Sequence, residues 1–195
     1  MYPTSYQINM NLGKTLYVTD REQWRSWLDK NHKEENEIWL LYYRKLSGKP
    51  RIPYNDAVEE ALCFGWIDSI QKGIDEEKFA QRFSKRKPTS KLSAANKERI
   101  RRLIEQKKMT DAGLQAIKKI YDSKEQLHIS SDILTPLKAN GQAWEHWKKL
   151  PDSYKRVRIG YIESRRRHGD EAFQKSLRYF IKMTEKNKKF GIMKW

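Results

Sequence analysis

The sequence predicts an α+β fold, in which a small antiparallel sheet with packed helices is followed by a small all-helical C-terminal domain. Segments rich in bulky, β-favouring residues occur between residues 37 and 86, and apolar residues at helical spacing surround them. After "KPTSK" (87–91) only helix-type patterns occur. The 195 residues are enough for one substantial domain, or for a domain of about 120 residues with a smaller appendage, and their seven Trp, ten Tyr and six Phe argue against a disordered chain.

The first predicted elements are a helix over residues 20–31 and a buried strand over residues 37–45. Apolar residues in the helix fall at the spacing of one face, and Thr19 followed by Glu22 indicates a capping box at its start. The strand "EIWLLYYRK" is bulky and has no helical period. These two elements begin the α+β core.

The segment "YNDAVEEALCFGWIDSI" (54–70) predicts a helix that turns into a strand. Asn55 is a candidate cap for the helix, and Gly65 can adopt the left-handed backbone that ends one. The strand "WIDSI" is followed by a predicted turn at "QKG" and by a second strand, "KFAQRFSKR" (78–86). The two strands are expected to form a hairpin.

The rest of the chain predicts helices. Ser93 can cap a helix that begins at residue 94, and Thr110 or Asp111 can cap the next one. Residues 122–133 lack a sustained period and are interpreted as a linker. The predicted domains are therefore an α+β domain over 1–121 and a helical domain of two or three helices over 134–195.

Charge is distributed unevenly along the chain, whose formal net charge is +16. Residues 1–80 hold eleven Lys and Arg against thirteen Asp and Glu, whereas residues 81–120 hold thirteen against three. We call residues 82–102, where this excess begins, the basic segment. A change this abrupt indicates either a face that meets phosphate, nucleic acid or an acidic surface, or a solvated helical surface rich in lysine.

Common catalytic and cofactor motifs are missing from the sequence. Cys63 ends an apolar helix stripe, which favours a buried inert thiol, and the four histidines lie in separate predicted elements. Neither a metal-ligand spacing nor a glycine-rich phosphate loop occurs. The sequence therefore predicts no catalytic residue, no metal and no cofactor, and a non-enzymatic protein is favoured over an enzyme.

Membrane and export signals are also missing from the sequence. No run of 18 apolar residues occurs, and the first twenty residues have neither the charged nor the apolar region of a signal peptide. A single cysteine cannot form an internal disulfide. We therefore expect a cytoplasmic protein without a membrane span.

Asp68 is the most informative polar residue of the predicted hairpin. Alternation along the strand places it on the face of Trp66 and Ile70, so a buried carboxylate there needs a cationic partner, for which Arg82 and Arg86 are candidates. A structural Asp–Arg pair and a ligand pocket lined by Trp66, Asp68 and Arg82 both fit this pattern.

The basic segment supplies the other candidate ligand-binding residues. It runs from a strand end through a loop into a helix start, where backbone N–H groups also favour anions. An anionic partner or nucleic acid is therefore the expected ligand of residues 82–102. The candidate ligand-binding residues are Trp66, Asp68, Arg82, Arg86, Lys87, Ser90, Ser93 and Asn96.

Two stretches resemble a known family. "YNDAVEEALCFGWIDSI" (54–70) and "KFAQRFSKRKPTSKLSAAN" (78–96) are similar to the YdeI/OmpD-associated family, also called bacteriocin-protection proteins. The resemblance covers roughly residues 15–120, and the tail from residue 133 looks like the C-terminal helical domain of that family. Lys85 stands where the family pattern has Pro, and Leu92 where it has Trp, which removes an aromatic side chain from that loop.

The resemblance implies a cytoplasmic bacterial protein linked to protection from antimicrobial peptides, and it supplies no catalytic residues. Three functions remain open at this point. The first is a non-enzymatic stress or antimicrobial-peptide (bacteriocin) protection protein whose basic segment binds an anionic partner. The second is a nucleic-acid-binding protein, and the third is an enzyme that acts on a small anionic substrate at a Trp66/Asp68/Arg82 pocket.

Overall fold

The structure is a computed structural model that describes residues 12–191. Residues 1–11 of the predicted α+β domain and residues 192–195 of the predicted helical domain lie outside the described residues. The strands are β1 (Thr15–Leu16), β2 (Glu37–Tyr43), β3 (Trp66–Gly73) and β4 (Lys78–Lys85). The α-helices are α1 (Arg21–Asn31), α2 (Tyr54–Cys63), α3 (Ala94–Glu105), α4 (Asp111–Ile117), α5 (Ser131–Ala139), α6 (Gly141–Lys148), α7 (Asp152–Arg165) and α8 (Asp170–Glu185).

The predicted fold class, a small sheet with packed helices followed by a helical region, is confirmed. The sheet has the strand order β1-β2-β4-β3, and β2, β4 and β3 are antiparallel neighbours. The two-residue strand β1 pairs in parallel with β2, which makes the sheet mixed rather than purely antiparallel. The predicted turn at "QKG" (71–73) is wrong, because β3 continues through Gly73 and pairs there with Phe79.

The start of α1 differs by one residue from the capping box that the sequence predicted at Thr19 and Glu22. Asp20 is the N-cap, and its carboxylate accepts a 2.9 Å hydrogen bond from the backbone N–H of Gln23. The Gln23 side chain in turn accepts from the backbone N–H of Thr19 at 3.1 Å. An aspartate carboxylate is a stronger acceptor than a threonine hydroxyl, which accounts for the shift of the cap.

The junction between α2 and β3 follows the predicted geometry. Gly65 has a φ of +76°, the left-handed conformation that ends α2. A Cβ at this position would also lie 2.7 Å from the Cβ of Ala116 in α4, so glycine is required for both conformation and space. Thr110 caps α4 as predicted, and its side chain accepts from the N–H of Gly113.

The chain forms two compact units. Among the described residues, the first contains 12–90 and 103–119, and the second contains 91–102 and 120–191, so the division falls inside α3. The domain limits predicted from the sequence, 1–121 and 134–195 with a linker at 122–133, remain predictions. Of the described residues, 120–191 hold four α-helices, against the two or three that the sequence predicted, and Asn140 both ends α5 and caps α6.

Each unit has its own apolar core. In the first unit Trp24 and Leu28 of α1 are fully buried, as are Leu40 of β2 and Phe83 of β4. The core of the second unit consists of Ile133, Leu137, Ala143, Trp147, Ile159, Ile162, Phe173, Leu177 and Phe180. The alternating pattern of the strands and the stripe of the helices account for these positions.

Candidate functional site

Trp66 begins β3 and belongs to the core of the first unit. Its side chain is 1% exposed, and its ring meets the edge of Trp27 at 5.8 Å between centroids. A ring buried in this way has no surface to present to a ligand. Trp66 is therefore a core residue and does not line an open pocket.

Asp68 accepts a hydrogen bond of 2.6 Å from the hydroxyl of Tyr54 at the start of α2. The pairing of β3 with β4 shifts between Asp68 and Gln71, which marks a β-bulge. The extra residue at the bulge interrupts the strict alternation of side chains along β3. Ile70, which the sequence placed on the face of Asp68 and Trp66, is 55% exposed. The hydrogen-bond partner of Asp68 is therefore a tyrosine hydroxyl, where the sequence predicted an arginine.

Arg82 lies on the face of the sheet opposite to Asp68. Asp68 pairs in register with Phe83, and the residue before Phe83 must point to the other side because strand side chains alternate. Arg82 instead forms an ion pair with Glu37 of β2, and its Nε donates to Glu37 Oε2 at 3.0 Å. The hydrogen bond and charge of Arg82 lower the pKa of Glu37. The expected Asp68–Arg82 pair is wrong for this geometric reason.

Arg86 stabilises the loop that follows β4. Its backbone N–H donates to the carbonyl of Gly65 at 2.9 Å, and its Nη2 donates to the carbonyl of Ser90 at 3.0 Å. The side chain is buried, and this burial lowers its pKa. Lys87 is exposed at the tip of the same loop. Of the predicted site residues, the structure thus brings Arg86 and Ser90 together and leaves Lys87 in solvent.

Ser93 and Asn96 lie in the second unit and form the beginning of α3. The hydroxyl of Ser93 accepts a 3.2 Å hydrogen bond from the backbone N–H of Asn96. The Asn96 side-chain oxygen accepts from Arg99 Nη1 at 2.9 Å. Both side chains are engaged in a helix N-terminus. Ligand binding by the eight predicted site residues stays a prediction.

The cations of the basic segment differ in how they are engaged. Lys97 forms an ion pair with Glu125 at 2.6 Å, and Arg101 forms one with Glu98 at 2.6 Å. Arg99 is buried beside Asn96. Lys87 and Lys91 are exposed. These two lysines are therefore the best placed of the segment's cations for contact with an external anion.

The sequence interpretation of Cys63 as a buried thiol agrees with its surroundings. The residue is completely buried in α2. Burial raises the pKa of the thiol to about 11, the negative charge of Glu60 adds to this, and Arg25 acts in the opposite direction. A thiol with this pKa is protonated at neutral pH and is a poor nucleophile.

A cavity in the second unit was not predicted from the sequence. It has a volume of about 1190 Å³, and all the side chains that line it come from residues 91–102 and 120–191. Arg158 is among them, and its side chain is buried. A signal was present in the sequence, because Arg158 follows Tyr154 by four residues and precedes Tyr161 by three, which places a charge in an aromatic stripe of one helix face.

A family model described as a domain of unknown function (DUF8412) matches residues 16–116, which is more than half of the chain. The chain belongs to this family. Residues 126–187 match a second model, described as bacteriocin-protection, YdeI or OmpD-associated. The predicted resemblance to the YdeI/OmpD-associated family is therefore confirmed. The residues that match this family model belong to the second unit. The two stretches on which the resemblance was predicted, 54–70 and 78–96, lie instead among the residues that match the DUF8412 model. The bacteriocin-protection match supports a protective role in general.

No curated protein and no solved structure matches the chain. Between residues 12 and 191, no helix has the length and apolar character needed to cross a membrane. The same residues contain no group of three or more His, Cys, Asp or Glu side chains arranged to hold a metal ion.

Proposed function

We propose that this DUF8412-family chain, with its YdeI/OmpD-associated second unit, is a non-enzymatic stress or antimicrobial-peptide (bacteriocin) protection protein of the bacterial cytoplasm. In this proposal the protein acts by binding an anionic partner through its basic segment. The match of residues 126–187 to a bacteriocin-protection family is the observation that carries the proposal.

The charge of the chain decides between two ways of protecting a cell. Cationic antimicrobial peptides would be repelled by a protein of net charge +16, because like charge slows encounter and opposes binding. An anionic partner is attracted by the same field. In this proposal the protein therefore does not sequester cationic peptides directly, and it binds an anionic component of the cell instead.

The exposed lysines of the basic segment are the proposed contact points. Lys87 and Lys91 are exposed, whereas Arg86 and Arg99 are buried. An external anion can reach a cation at the surface, whereas a buried cation is covered by the protein. We therefore assign the partner contact to Lys87 and Lys91 first.

A survival assay tests the proposal. A strain that expresses the chain is expected to survive a bacteriocin better than the same strain without it, and Lys87→Gln/Lys91→Gln is expected to reduce this advantage. Lys30→Gln/Lys33→Gln, which removes two exposed cations outside the segment, is the matched control. Equal survival with and without the chain would refute the protective role, and equal effects of the two double variants would refute the role of the segment.

Binding experiments separate the anionic partner from the nucleic-acid alternative. Polyglutamate and single-stranded DNA are titrated at several salt concentrations. If the lysines contact DNA phosphates, affinity falls steeply with salt, and the double variant lowers the slope of log K against log salt by about two. A flat salt response would contradict nucleic-acid binding.

The geometry does not favour the enzyme hypothesis. An enzyme at a Trp66/Asp68/Arg82 pocket needs the three side chains to converge, but Asp68 and Arg82 lie on opposite faces of the sheet and Trp66 is buried. Asp68 is bonded to the Tyr54 hydroxyl. These contacts describe a stabilised sheet edge and do not form a substrate site.

A further inference from the structure

The cavity of the second unit is large enough for a small organic molecule. Its volume of about 1190 Å³ slightly exceeds the usual range of ligand pockets, about 300–1,000 Å³. Residues of α7 and α8 form two of its walls, and Phe190 with Gly191 contributes to a third. The cavity is therefore built within one unit, from helical residues together with the loop residues 125–128 and 190–191.

Arg158 lines this cavity and is buried among aromatic rings. Its side chain is 6% exposed, and its Cζ lies 4.9 Å from the ring centre of Phe190, 5.5 Å from that of Tyr161 and 5.8 Å from that of Tyr154. The chain passes directly beside the guanidinium at Gly191, where a Cβ would be 2.6 Å from Nη2. The charge is thus largely removed from water.

The guanidinium of Arg158 has no oxygen partner within residues 12–191. Its Nε is buried and makes no hydrogen bond there, and the residue forms no ion pair with any described carboxylate. Burial accordingly lowers its pKa. Cation–π contacts with three rings stabilise the charge but do not accept its in-plane N–H bonds. A buried charge with donors left open is costly, and an oxyanion would compensate it.

The other cations of the cavity separate into two groups. Lys97 pairs with Glu125, and Arg101 and Arg156 share Glu98, so each of these three cations has a carboxylate partner within the protein. Arg165 and Lys175 line the cavity as Arg158 does, but neither forms an ion pair with a described carboxylate. Two carboxylates, Glu163 and Glu171, line the same side, and Glu163 pairs with Arg166. The three cations Arg158, Arg165 and Lys175 therefore face one carboxylate without a described ion pair, so the side of the cavity between α7 and α8 carries excess positive charge.

Exposed aromatic side chains lie beside this excess charge. Tyr161 of α7 is 47% exposed and Tyr179 of α8 is 51% exposed, and both line the cavity. Tyr179 also meets the ring of Phe190 edge-on at 5.0 Å. Exposed rings next to a cation favour a ligand that combines an apolar body with a negative group.

We propose that the cavity of the second unit binds a small amphipathic anion, whose carboxylate or phosphate accepts hydrogen bonds from Arg158 and whose apolar body lies on Tyr161 and Tyr179. A guanidinium can bind such a group through two parallel hydrogen bonds, which fixes its orientation. The inference goes beyond the proposed function, because it concerns other side chains and another ligand than the basic segment and its partner.

Calorimetric titration of the full chain with three probes tests this ligand class. Phenyl phosphate has both the anion and the ring, inorganic phosphate lacks the ring, and benzyl alcohol lacks the charge. We expect phenyl phosphate to bind at least about tenfold more tightly than either of the others, because benzyl alcohol cannot make the charge-assisted hydrogen bonds and inorganic phosphate cannot bury a ring. Equal affinities for phenyl and inorganic phosphate, or absence of phenyl phosphate binding at about 1 mM, would overturn the proposal.

Variants of Arg158 test the assigned contact. Arg158→Gln is expected to weaken phenyl phosphate binding at least about tenfold, and Arg158→Lys is expected to weaken it less because the charge remains. Arg178→Gln removes an exposed cation of α8 that does not line the cavity, and it should bind as the unchanged protein does. Equal affinities of Arg158→Gln and Arg178→Gln would overturn the contact.

Two further variants protect the test against a folding failure. If thermal unfolding shows that Arg158→Gln is not folded, Arg165→Gln and Lys175→Gln replace it, because they remove cavity cations that are not fully buried. Each is expected to weaken phenyl phosphate binding by about threefold, as for a partly exposed ion pair, and no change in either would overturn the proposal.

A vesicle experiment separates a free anion from a lipid headgroup, and the basic segment serves as an independent control. Binding of phosphatidylglycerol vesicles that depends on Arg158, without binding of phenyl phosphate, would overturn the assignment to a small molecule.

Lys87→Gln/Lys91→Gln leaves the cavity intact and should bind phenyl phosphate normally. Loss of protection in that variant with retained phenyl phosphate binding would therefore separate the two proposals.

Discussion

Gly160 of α7 lies against Ala94 of α3 with no space for another side chain between them. A Cβ at position 160 would be 2.3 Å from the Cβ of Ala94, far closer than two carbon atoms can approach. Both residues belong to the second unit. The absence of a side chain at position 160 is therefore what allows the two helices to meet at this distance.

Gly160→Ala is expected to destabilise the protein even though alanine favours helices. The substitution gains about 1 kcal/mol of helix propensity, but overpacking against a rigid Cβ costs about 1–3 kcal/mol or more. We expect a net loss of about 1–2 kcal/mol in the free energy of unfolding, measured by urea denaturation. Gly141→Ala is the matched control, because nothing lies within 4 Å of a Cβ there, and a stability loss of the same size in it would contradict the packing argument.

Glu60→Gln is expected to destabilise the first unit. Glu60 is buried in α2 and forms ion pairs with Arg25 at 2.6 Å and Arg21 at 3.4 Å. The substitution removes the carboxylate partner of Arg25, whereas Arg21 keeps Asp56 and Glu59. Because both arginines are partly exposed, we expect a loss of about 1–3 kcal/mol, less than the about 3–5 kcal/mol for breaking a fully buried pair. Urea denaturation measures the change, with Glu22→Gln as an exposed control on α1. Equal unfolding midpoints of the two variants would show that the cluster adds nothing.

Cys63 is expected to resist thiol reagents in the folded protein. Its pKa is raised to about 11 by burial, so at pH 8 only about one molecule in a thousand carries the reactive thiolate. Ellman's reagent should therefore label the native protein slowly and the urea-unfolded protein at once. Fast stoichiometric labelling of the native protein would mean that Cys63 is accessible.

Glu98 is expected to make stability depend on acid pH. Burial acts to raise its pKa, but the hydrogen bonds and charges of Arg156 and Arg101 outweigh burial, and the pKa lies below its usual value. A carboxyl with a lowered folded pKa contributes stability above its unfolded pKa, about 4.3, and this contribution is lost as pH falls through the lower, folded value. Urea denaturation between about pH 6 and pH 3 should therefore show a smaller acid-induced loss in Glu98→Gln than in the unchanged protein.

The control for this pH dependence is Glu105→Gln, which removes an exposed carboxylate from the same helix. It should keep the acid-induced loss of the unchanged protein. If Glu98→Gln and Glu105→Gln respond to acid alike, the Arg156 and Arg101 contacts do not account for the pH dependence.

Local rules predicted those features that depend on a few neighbouring residues. The period of α2 placed Cys63 in the interior, and Gly65 marked the end of the helix because a left-handed residue is needed there. Thr110 capped α4 for the same kind of reason. Each of these features depends on residues within about one helical turn of each other.

Features that depend on register or on distant partners were not predictable in this way. Alternation along β3 alone could not show that Asp68 lies opposite Phe83, which puts Arg82 on the other face of the sheet. It also could not reveal the bulge after Asp68, beyond which Ile70 is exposed. The cavity around Arg158 was missed because residues 92–101, 125–128 and 156–191 contribute to it, and no periodic pattern links them. The aromatic stripe of α7 was the one local sign of the cavity.

The carbonyl of Cys63 accepts two hydrogen bonds from a single residue, Thr110, from the backbone N–H at 3.1 Å and from the hydroxyl at 2.6 Å. Residues 91–102, which belong to the second unit, lie between these partners in the chain. On a ribosome, which releases the chain from its N-terminus, the end of α2 must therefore wait for Thr110 to emerge. The first unit is thus expected to complete its folding only after synthesis of the second has begun.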